Sequence, residues 1–533
     1  MVDNLLPDKN NSVSLDGRAK LKLKHRVSCL IGPLKGRERL QKAYRIRLEA
    51  ARFQRDLPLT RHKCNGDENL YPNKIGSFSK ALPHDNLGEV SLSAYYSLIR
   101  ALSSGDPEEF ESIPLGGPAK LVNPQAAYAY ELAGPDSHHL SMPPAPALSS
   151  AETAGEMAEC YWQALARDVP FTEYETDPLT VAAASDLSGF SVFRGPKECG
   201  AVTPGTLFRG DTPGDLEGPY ISQFLWQDIP FGARTVTQRY HAAAAGADYM
   251  TSYKGWLKIQ NGLAPSSQNV YSTVPRYICN GRDMCEWVHK DFSFQGPLAA
   301  CLILLGYGPE ALAQSNPYLR SATQFGFPTF GSAHILDFTA HAVRAALEAA
   351  WFQKWLVHRR LRPEEFGGLV EKQMTGRASY PINSELLNSQ VLSEVYSRYG
   401  SYLLPQAYPE GCPAHPSYPS GHATYTGAGV TMLKAFFKES FIIPNPVVSS
   451  YDGLSMLPYT GPPLTVGGEL NKLAANVALS RDFAGIHWRS DGIEGIKLGE
   501  AVAIGILRDY RNAFNEDFAG FSFTRFDGSK IAI

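Results

Sequence analysis

The sequence lacks an apolar run that could cross a bilayer. The longest candidate, residues 297–308, is far shorter than the roughly 20 residues that a spanning helix needs. The N-terminus also lacks a basic start followed by an apolar stretch, so we expect no secretory signal and no membrane partner. The missing signal leaves the location cytoplasmic or undetermined. The net charge of −3 over 533 residues gives no indication of nucleic-acid binding.

Paired cysteines are missing as well. The eight cysteines form no Cys-x-x-Cys pair, and Cys279 and Cys285 are the nearest neighbours. This spacing favours free, buried thiols in a reducing compartment over a disulfide framework, and it gives no support to a structural zinc site.

The sequence does contain segments whose apolar residues recur at the spacing typical of helices. Long loops rich in proline, glycine and asparagine separate these segments. The pattern predicts an all-α protein with little strand: an N-terminal arm over residues 1–35, solvated or in an oligomer contact rather than an edge strand, and one large helical domain over residues 36–533. Helices are predicted over residues 36–56, 91–102, 149–167, 246–261, 281–306, 333–360, 384–398, 420–439, 467–482 and 488–512.

One proline-rich stretch, residues 413–428, indicates a functional helix end. Prolines stop regular structure before Ser420, and small and apolar residues with helical spacing follow it. Ser420, Gly421 and His422 are therefore predicted at a helix N-terminus, where free N–H groups and the positive end of the dipole favour an oxyanion. The alternative, an ordinary helix capped by a serine, fits this segment equally well.

Two further segments, residues 354–363 and residues 480–491, add charge near predicted helix ends. Taken alone, each is typical of a solvated helix terminus or a structural histidine. Together with the proline-rich stretch they would supply a lysine, two arginines, a serine hydroxyl and several imidazoles, a set that suits a highly charged oxyanion. The candidates are Lys354, Arg362, His415, Ser420, Gly421, His422, Arg481, His487 and Asp491, with Arg359 and Arg360 as competitors of Arg362.

These segments resemble the motifs of the type-2 phosphatidic-acid phosphatase superfamily. Those motifs are Lys-x-x-x-x-x-x-Arg-Pro, Pro-Ser-Gly-His and Ser-Arg-x-x-x-x-x-His-x-x-x-Asp. The second and third match at 419–422 and 480–491, but seven residues rather than six separate Lys354 from Arg362. This longer spacing resembles the vanadium-dependent bromoperoxidases of red algae and their cyanobacterial relatives. His415, five residues before Ser420, also resembles these bromoperoxidases, as do residues 67–72 and 122–128. The resemblance covers residues 36–530.

The resemblance implies a role for each candidate. His487 would be the axial ligand of vanadium, and Asp491 would hold its imidazole in one tautomer, which a helical turn over residues 487–491 would permit. His422 would act as general acid–base for peroxide, and His415 would supply protons or handle halide. The oxygens of the anion would be bound by Lys354, Arg362, Ser420, the Gly421 N–H and Arg481. Phe352, Gln353 and Trp355 would shape a halide pocket, although packing alone would also explain the two aromatic residues.

The implied fold is the helical bundle of vanadium haloperoxidases and acid phosphatases, with the site within residues 330–512 and the N-terminal half as scaffold and oligomer contact. The implied cofactor is vanadate, in which pentavalent vanadium acts as a Lewis acid. Hydrogen peroxide would oxidise a halide, bromide foremost, to hypohalous acid, which halogenates an organic acceptor. The family also implies a large homo-oligomer, a dodecamer as nearest precedent, and in some relatives a structural divalent cation such as calcium.

Two other functions remain open at this point. A soluble acid phosphatase would use the same cage for phosphate and form a phosphohistidine, because phosphate and vanadate are nearly isosteric. A non-catalytic helical assembly protein that keeps an anion site is disfavoured by the complete set of motifs. The chain length, the longer Lys354–Arg362 spacing and His415 favour the peroxidase.

Overall fold

The computed structural model describes residues 34–533, and helices dominate that range. The α-helices are, in chain order, α1 (Gly36–Arg55), α2 (Asp67–Leu70), α3 (Leu92–Ser104), α4 (Pro107–Glu111), α5 (Ala151–Leu165), α6 (Pro178–Ser188), α7 (Tyr253–Gln260), α8 (Gly281–Lys290), α9 (Gln295–Gly306), α10 (Ser332–Phe352), α11 (Pro363–Met374), α12 (Ser384–Leu387), α13 (Gln390–Tyr399), α14 (Gly421–Phe436), α15 (Val466–Phe483) and α16 (Arg489–Tyr510). The all-α prediction is confirmed.

Strands in the described residues are confined to short antiparallel hairpins. Each hairpin pairs two three-residue strands with no crossover. They are β1 (Ile229–Phe231) with β2 (Arg234–Val236), β3 (Val447–Ser449) with β4 (Met456–Pro458), and β5 (Ser522–Thr524) with β6 (Lys530–Ala532). Such short hairpins contribute little core, so the core belongs to the helices.

The chain divides into compact units inside α1. One unit ends at Arg52 and the other runs from Phe53 to Ile533. Helix α1 buries none of its side chains. Most of the predicted N-terminal arm, residues 1–33, lies outside the described residues, and the predicted domain boundaries stay a prediction.

Two long predicted helices are interrupted. The helix predicted over 281–306 is divided into α8 and α9, because the ring of Pro297 in a continuous helix would clash with the carbonyl of residue 293. The helix predicted over 333–360 ends as an α-helix at Phe352 and continues as a π-helical turn, Gln353–His358, which ends at Arg359 with φ 40°. Apolar periodicity does not reveal this change of hydrogen-bonding pattern.

Other boundaries also differ from the prediction. Helices α6 and α11 were missed, although each starts with a proline at its first position, a recognised start signal. The helix predicted from residue 246 begins only at Tyr253. Helix α5 is capped by Ser150 rather than Ser149, with the Ser150 side chain accepting from the Thr153 N–H.

Helix α14 lies at the centre of the bundle and packs against α10, α15 and α16. Apart from His422, all of its residues are buried, and many are glycine, alanine or threonine. Small residues let α16 approach closely: a Cβ added at Gly499 would collide with the Thr424 carbonyl oxygen and lie 2.6 Å from the Ala428 nitrogen. This close packing fixes the position of α14 within the bundle.

This packing gives a stability prediction. Gly499→Ala should lower the free energy of unfolding by about 2–3 kcal/mol, because the added methyl group must displace backbone. Gly492→Ala is the control in the same helix, since its added Cβ meets only the Ala478 Cβ, at 3.1 Å. We expect its effect to stay within about 1 kcal/mol. Urea unfolding measures both, and equal losses would contradict the close α14–α16 contact.

Two further expectations concern residues 34–533. Within them, no helix is both long and apolar enough to cross a membrane. The seven cysteines in this range are all free, and five of them are buried. The prediction of unpaired thiols is confirmed for these seven, whereas Cys29 lies outside the described residues.

Candidate active site

The proline-rich stretch leads into the start of α14, as predicted. Ser420 is the N-cap, and its hydroxyl accepts from the Ala423 N–H at 3.4 Å. Gly421 is the first helical residue, and a Cβ there would meet the Trp351 ring at 3.3 Å. The backbone of α14 therefore presents its first N–H groups at a place with little room for a side chain.

His487 and Asp491 form a buried pair beside this helix end. His487 Nδ1 lies 2.8 Å from Asp491 Oδ2. His487 precedes α16, which begins at Arg489, so the two side chains meet across the start of a helix rather than along one helical turn as predicted. The carboxylate accepts, so Nδ1 carries the proton and Nε2 keeps its lone pair.

A second set of partners fixes Asp491. Its Oδ1 accepts from Arg360 Nη1 at 3.0 Å, and its Oδ2 also accepts from the Ser417 hydroxyl and from the Trp488 N–H. Arg360 in turn pairs with Glu156 at 3.0 Å. Sequence reasoning did not assign Ser417 or Glu156, and it considered Arg360 only as a competitor for the anion. A buried network of hydrogen bonds thus fixes the position of the Asp491 carboxylate.

The three predicted cations surround His487. Arg362 Nη1 lies 3.0 Å from His487 Nε2, so the guanidinium donates to this lone pair. Lys354 Nζ donates to the carbonyl oxygens of Pro416 and Ser417 at 2.8 and 2.7 Å. Arg481 is buried, and among residues 34–533 its Nε has no hydrogen-bond partner.

The competing arginines are occupied elsewhere. Arg359 makes its ion pair with Glu68 at 2.6 Å. Arg360 is shared between Glu156 and Asp491. Arg362 makes no ion pair in the described residues and lies against His487, which supports its selection for the anion.

Burial and mutual repulsion depress the pKa values of this cluster. Burial lowers the pKa of Lys354 well below its ordinary value, and Arg362 lowers it further. Burial and the same arginine lower the pKa values of His487 and His415 well below the ordinary range. So much uncompensated positive charge in a buried space favours an anion as its partner.

His422 lines the same cavity and has a carboxylate partner that sequence reasoning missed. Its Nε2 donates to Asp291 Oδ1 at 3.0 Å, and the Tyr425 hydroxyl donates to Asp291 Oδ2. Burial, followed by Arg481, lowers the pKa of His422, while Asp291 opposes that shift. Asp291 is far from His422 in sequence, so no local spacing could have revealed it.

His415 also lies in the cavity. Its Nδ1 is 3.0 Å from Arg362 Nη2, and its ring centroid is 4.8 Å from that of Trp351. Trp351, three residues before Lys354, was not predicted, although residues three apart share a helix face.

The predicted halide-pocket residues lie elsewhere. Trp355 packs on Phe78 with ring centroids 5.8 Å apart, and Phe352 lies against His62 at 5.2 Å. The Gln353 side chain donates to the Leu140 carbonyl. None of these three residues lines the cavity beside His487, and packing explains the two aromatic residues, so their role in a halide pocket stays a prediction.

A cavity of about 300 Å³ gives access to this cluster. Its lining includes His415, Gly421, His422, Arg481 and His487, whereas Lys354, Arg362 and Ser420 are not on its surface and are fully buried. The unpartnered Arg481 Nε, the lone pair of His487 Nε2 and the helix start all suit a small tetrahedral oxyanion such as vanadate. The residues therefore fit the implied cofactor.

The contact between His422 and Asp291 gives a testable prediction. Asp291→Asn should lower the turnover of halide oxidation by about tenfold, because the acid–base imidazole loses the group that orients it. Loss of the carboxylate also lowers the pKa of His422 further, so the imidazole stays neutral to lower pH and the acidic limb of the activity profile moves to lower pH. A pH–rate profile measures both effects.

Tyr425→Phe is the matched control, since it removes the other side-chain contact of Asp291 and leaves the bond to His422 intact. We expect a smaller fall in rate with this variant. An unchanged acidic limb in Asp291→Asn would show that His422 is not the group that titrates.

A helical bundle that encloses an imidazole and several cations defines a class of oxyanion-binding protein, and comparisons with known proteins identify the family. A family model described as the second helical-bundle domain of VCPO matches residues 334–516, a segment that contains every predicted site residue. The chain is 37% identical over 528 residues to the vanadium-dependent bromoperoxidase of Ascophyllum nodosum, covering 94% of this chain and 93% of that one. It is 34% identical to the vanadium-dependent bromoperoxidase of Corallina officinalis, covering 93% and 98%.

A solved structure agrees over the whole chain. The homohexameric second vanadate-dependent bromoperoxidase of Ascophyllum nodosum superposes with a TM-score of 0.91 and 31% identity, over 99% of this chain and 94% of that one. The chain belongs to the vanadium-dependent bromoperoxidase family. The resemblance inferred from the three motifs is confirmed.

Proposed function

We propose that this protein is a vanadium-dependent haloperoxidase that oxidises halide, bromide foremost, with hydrogen peroxide to hypohalous acid, which then halogenates an organic acceptor. Family membership and the geometry at His487 support this function. The observation that carries it is the bond from His487 Nδ1 to Asp491, which leaves Nε2 unprotonated. The Nε2 lone pair accepts from Arg362 Nη1 in this structure and would bind the anion in place of that contact. Vanadate, when bound, supplies a Lewis acid that activates peroxide without a change in its oxidation state.

The residues of the chain bind and orient the anion. Lys354, Arg362 and Arg481 supply positive charge for its oxygens, and the low-dielectric surroundings strengthen that attraction. Ser420 and the Gly421 N–H add hydrogen bonds at the helix start. Arg362 donates to His487 Nε2 and Lys354 donates to two carbonyl oxygens before the anion arrives, so both cations would exchange these partners for oxygens of the anion.

The histidines handle protons. His422, oriented by Asp291, would take a proton from hydrogen peroxide and return it to the oxygen that departs as water. His415, between Trp351 and Arg362, lies where a halide would approach, because a buried guanidinium and an aromatic edge both attract an anion.

The test separates the peroxidase from a phosphatase. Protein dialysed against vanadate or against phosphate is assayed for bromination with peroxide and bromide, and for phosphate-ester hydrolysis. We expect bromination only after vanadate. Bromination without vanadate, or hydrolysis alone, would overturn the proposal.

The assembly is part of the same proposal. Helix α1, described by itself, buries no side chain and leaves Leu40 71% and Tyr44 64% exposed, which is typical of a contact surface. We propose a homo-oligomer, a hexamer as in the solved relative or a dodecamer. Light scattering measures the mass in solution, and a monomeric mass would contradict it.

A structural divalent cation such as calcium stays a prediction with no site of its own. Among residues 34–533, no group of three or more histidine, cysteine, aspartate or glutamate side chains is arranged to hold a metal ion. Oxygen ligands from backbone carbonyls would then be needed.

A further inference from the structure

A second cavity, of about 430 Å³, adjoins the candidate active site. Asp291 lines both cavities. Helix α8 also serves both, since its Glu286 lines the second cavity and its His289 lines the first. Glu286 Oε2 and His289 Nδ1 are 3.2 Å apart, so side chains that line the two cavities are in direct contact.

Aromatic and polar side chains share the walls of this second cavity, and the polar ones are His241, Glu286, Lys290, Asp291 and Gln295. Tyr240, Tyr271 and Trp287 line it, and Tyr271 is 41% exposed at its mouth. The volume falls in the range of small-molecule sites. Aromatic walls of this kind favour a flat, apolar ring, through offset stacking and edge contacts.

Two polar atoms of the lining, Glu286 Oε1 and Trp287 Nε1, are buried and have no hydrogen-bond partner within residues 34–533. Glu286 is 4% exposed, and its Oε2 accepts from Asn269 Nδ2 at 3.0 Å and from His289. A buried carboxylate oxygen without a partner costs stability unless a donor reaches it, so a ligand with an O–H or N–H group is the natural complement.

We propose that this cavity binds the organic acceptor, and that the acceptor is an electron-rich aromatic molecule with an O–H or N–H substituent. Its ring lies among Tyr240, Tyr271 and Trp287, and its O–H or N–H donates to Glu286 Oε1. The inference rests on the proposed function, which supplies the electrophile in the adjoining cavity.

The chemistry of transfer balances. A ring carbon forms a bond to the bromine of hypobromous acid while the O–Br bond breaks, and the electron pair of that bond leaves with hydroxide. The same ring carbon then loses its proton, which joins the hydroxide as water. The hydrogen bond to Glu286 raises the electron density of the ring and favours attack by the electrophile.

Binding is tested on vanadate-free protein by equilibrium dialysis with 2-naphthol. We expect saturable binding, about fivefold weaker in Tyr271→Ala, the effect expected of one aromatic contact. Tyr130→Ala is the matched control, because Tyr130 is 83% exposed and lies outside both cavities. Unsaturable binding, or equal affinity in wild type and Tyr271→Ala, would overturn the proposal.

A second comparison tests Glu286 with a pair of ligands. Wild type should bind 2-naphthol about tenfold more tightly than 2-methoxynaphthalene, which has no donor. In Glu286→Gln that preference should fall below about threefold. Equal affinity of wild type for the two ligands would contradict the role of Oε1.

The loaded enzyme provides a separate readout. Tyr271→Ala should raise the KM for 2-naphthol about fivefold and leave the rate of bromide oxidation without acceptor unchanged. An unchanged KM would count against the acceptor site. The dialysis experiments use no vanadate, peroxide or bromide. If the proposed peroxidase activity failed, the binding result would therefore still stand, so the two failures can be told apart.

Discussion

His487→Ala is expected to abolish bromination and to weaken vanadate binding by more than about 100-fold. Loss of an outer-shell partner of a metal ligand costs about 10–100-fold, and loss of the ligand itself should exceed that. Asp491 holds the proton of this imidazole on Nδ1, so the Nε2 lone pair stays unprotonated beside Arg362. Vanadium retained after dialysis, measured per chain by atomic emission, and the bromination rate report the two effects.

His138→Ala is the matched control, since the His138 side chain is 49% exposed and lies outside the cavity. It should keep both vanadium content and activity. The His487 assignment would be wrong if His487→Ala retained vanadate as wild type does.

Asp491→Asn is expected to lower the free energy of unfolding by about 3 kcal/mol, because it leaves a buried arginine, Arg360, with one carboxylate fewer. Vanadate affinity should also fall, by about 10–100-fold. An asparagine can donate as well as accept, so it no longer fixes the proton on His487 Nδ1. Urea unfolding and vanadate titration measure the two losses separately.

Glu494→Gln is the control on the same helix. It also neutralises a buried carboxylate, but its partners Arg194 and Lys497 have 31% and 51% exposed side chains, which water can solvate. We expect a smaller loss of stability and unchanged vanadate affinity. A fall in affinity as large as that of Asp491→Asn would mean that charge on α16, rather than the tautomer of His487, sets binding.

The part of the site that could be predicted from sequence consists of short, ordered motifs. Ser420 and Gly421 were recognisable because prolines before them and small residues after them mark a helix start. Arg362, His487 and Asp491 were recognisable because their spacing within two motifs resembles that of a known family. The structure brings these segments together around one cavity, while the chemical role of each residue stays a prediction.

The missed partners have no such local pattern. Asp291 directly follows the last residue of α8, in the break between α8 and α9, and from this helix end it reaches His422 in α14. Glu156 meets Arg360 from a helix some two hundred residues earlier in the chain. Contacts of this kind depend on tertiary packing, and one sequence without homologues does not specify which buried charges pair.

Tertiary contacts also account for the wrong boundary of the helix predicted over residues 333–360. The spacing of apolar residues continues through Lys354, but the backbone changes to a π-helical turn there and ends at Arg359. Lys354 Nζ meets two carbonyl oxygens of the proline-rich stretch. A tertiary contact thus accompanies a local geometry that helix propensity alone does not predict.

The central claim is that vanadate bound at His487 carries the activity. The most direct measurement is a titration of vanadate-free protein, in which bromination rate and bound vanadium per chain are followed together, with phosphate as competitor. We expect the rate to rise in proportion to bound vanadium, to reach its maximum at one vanadium per chain, and to fall as phosphate displaces vanadate. A rate that is independent of bound vanadium would contradict the account.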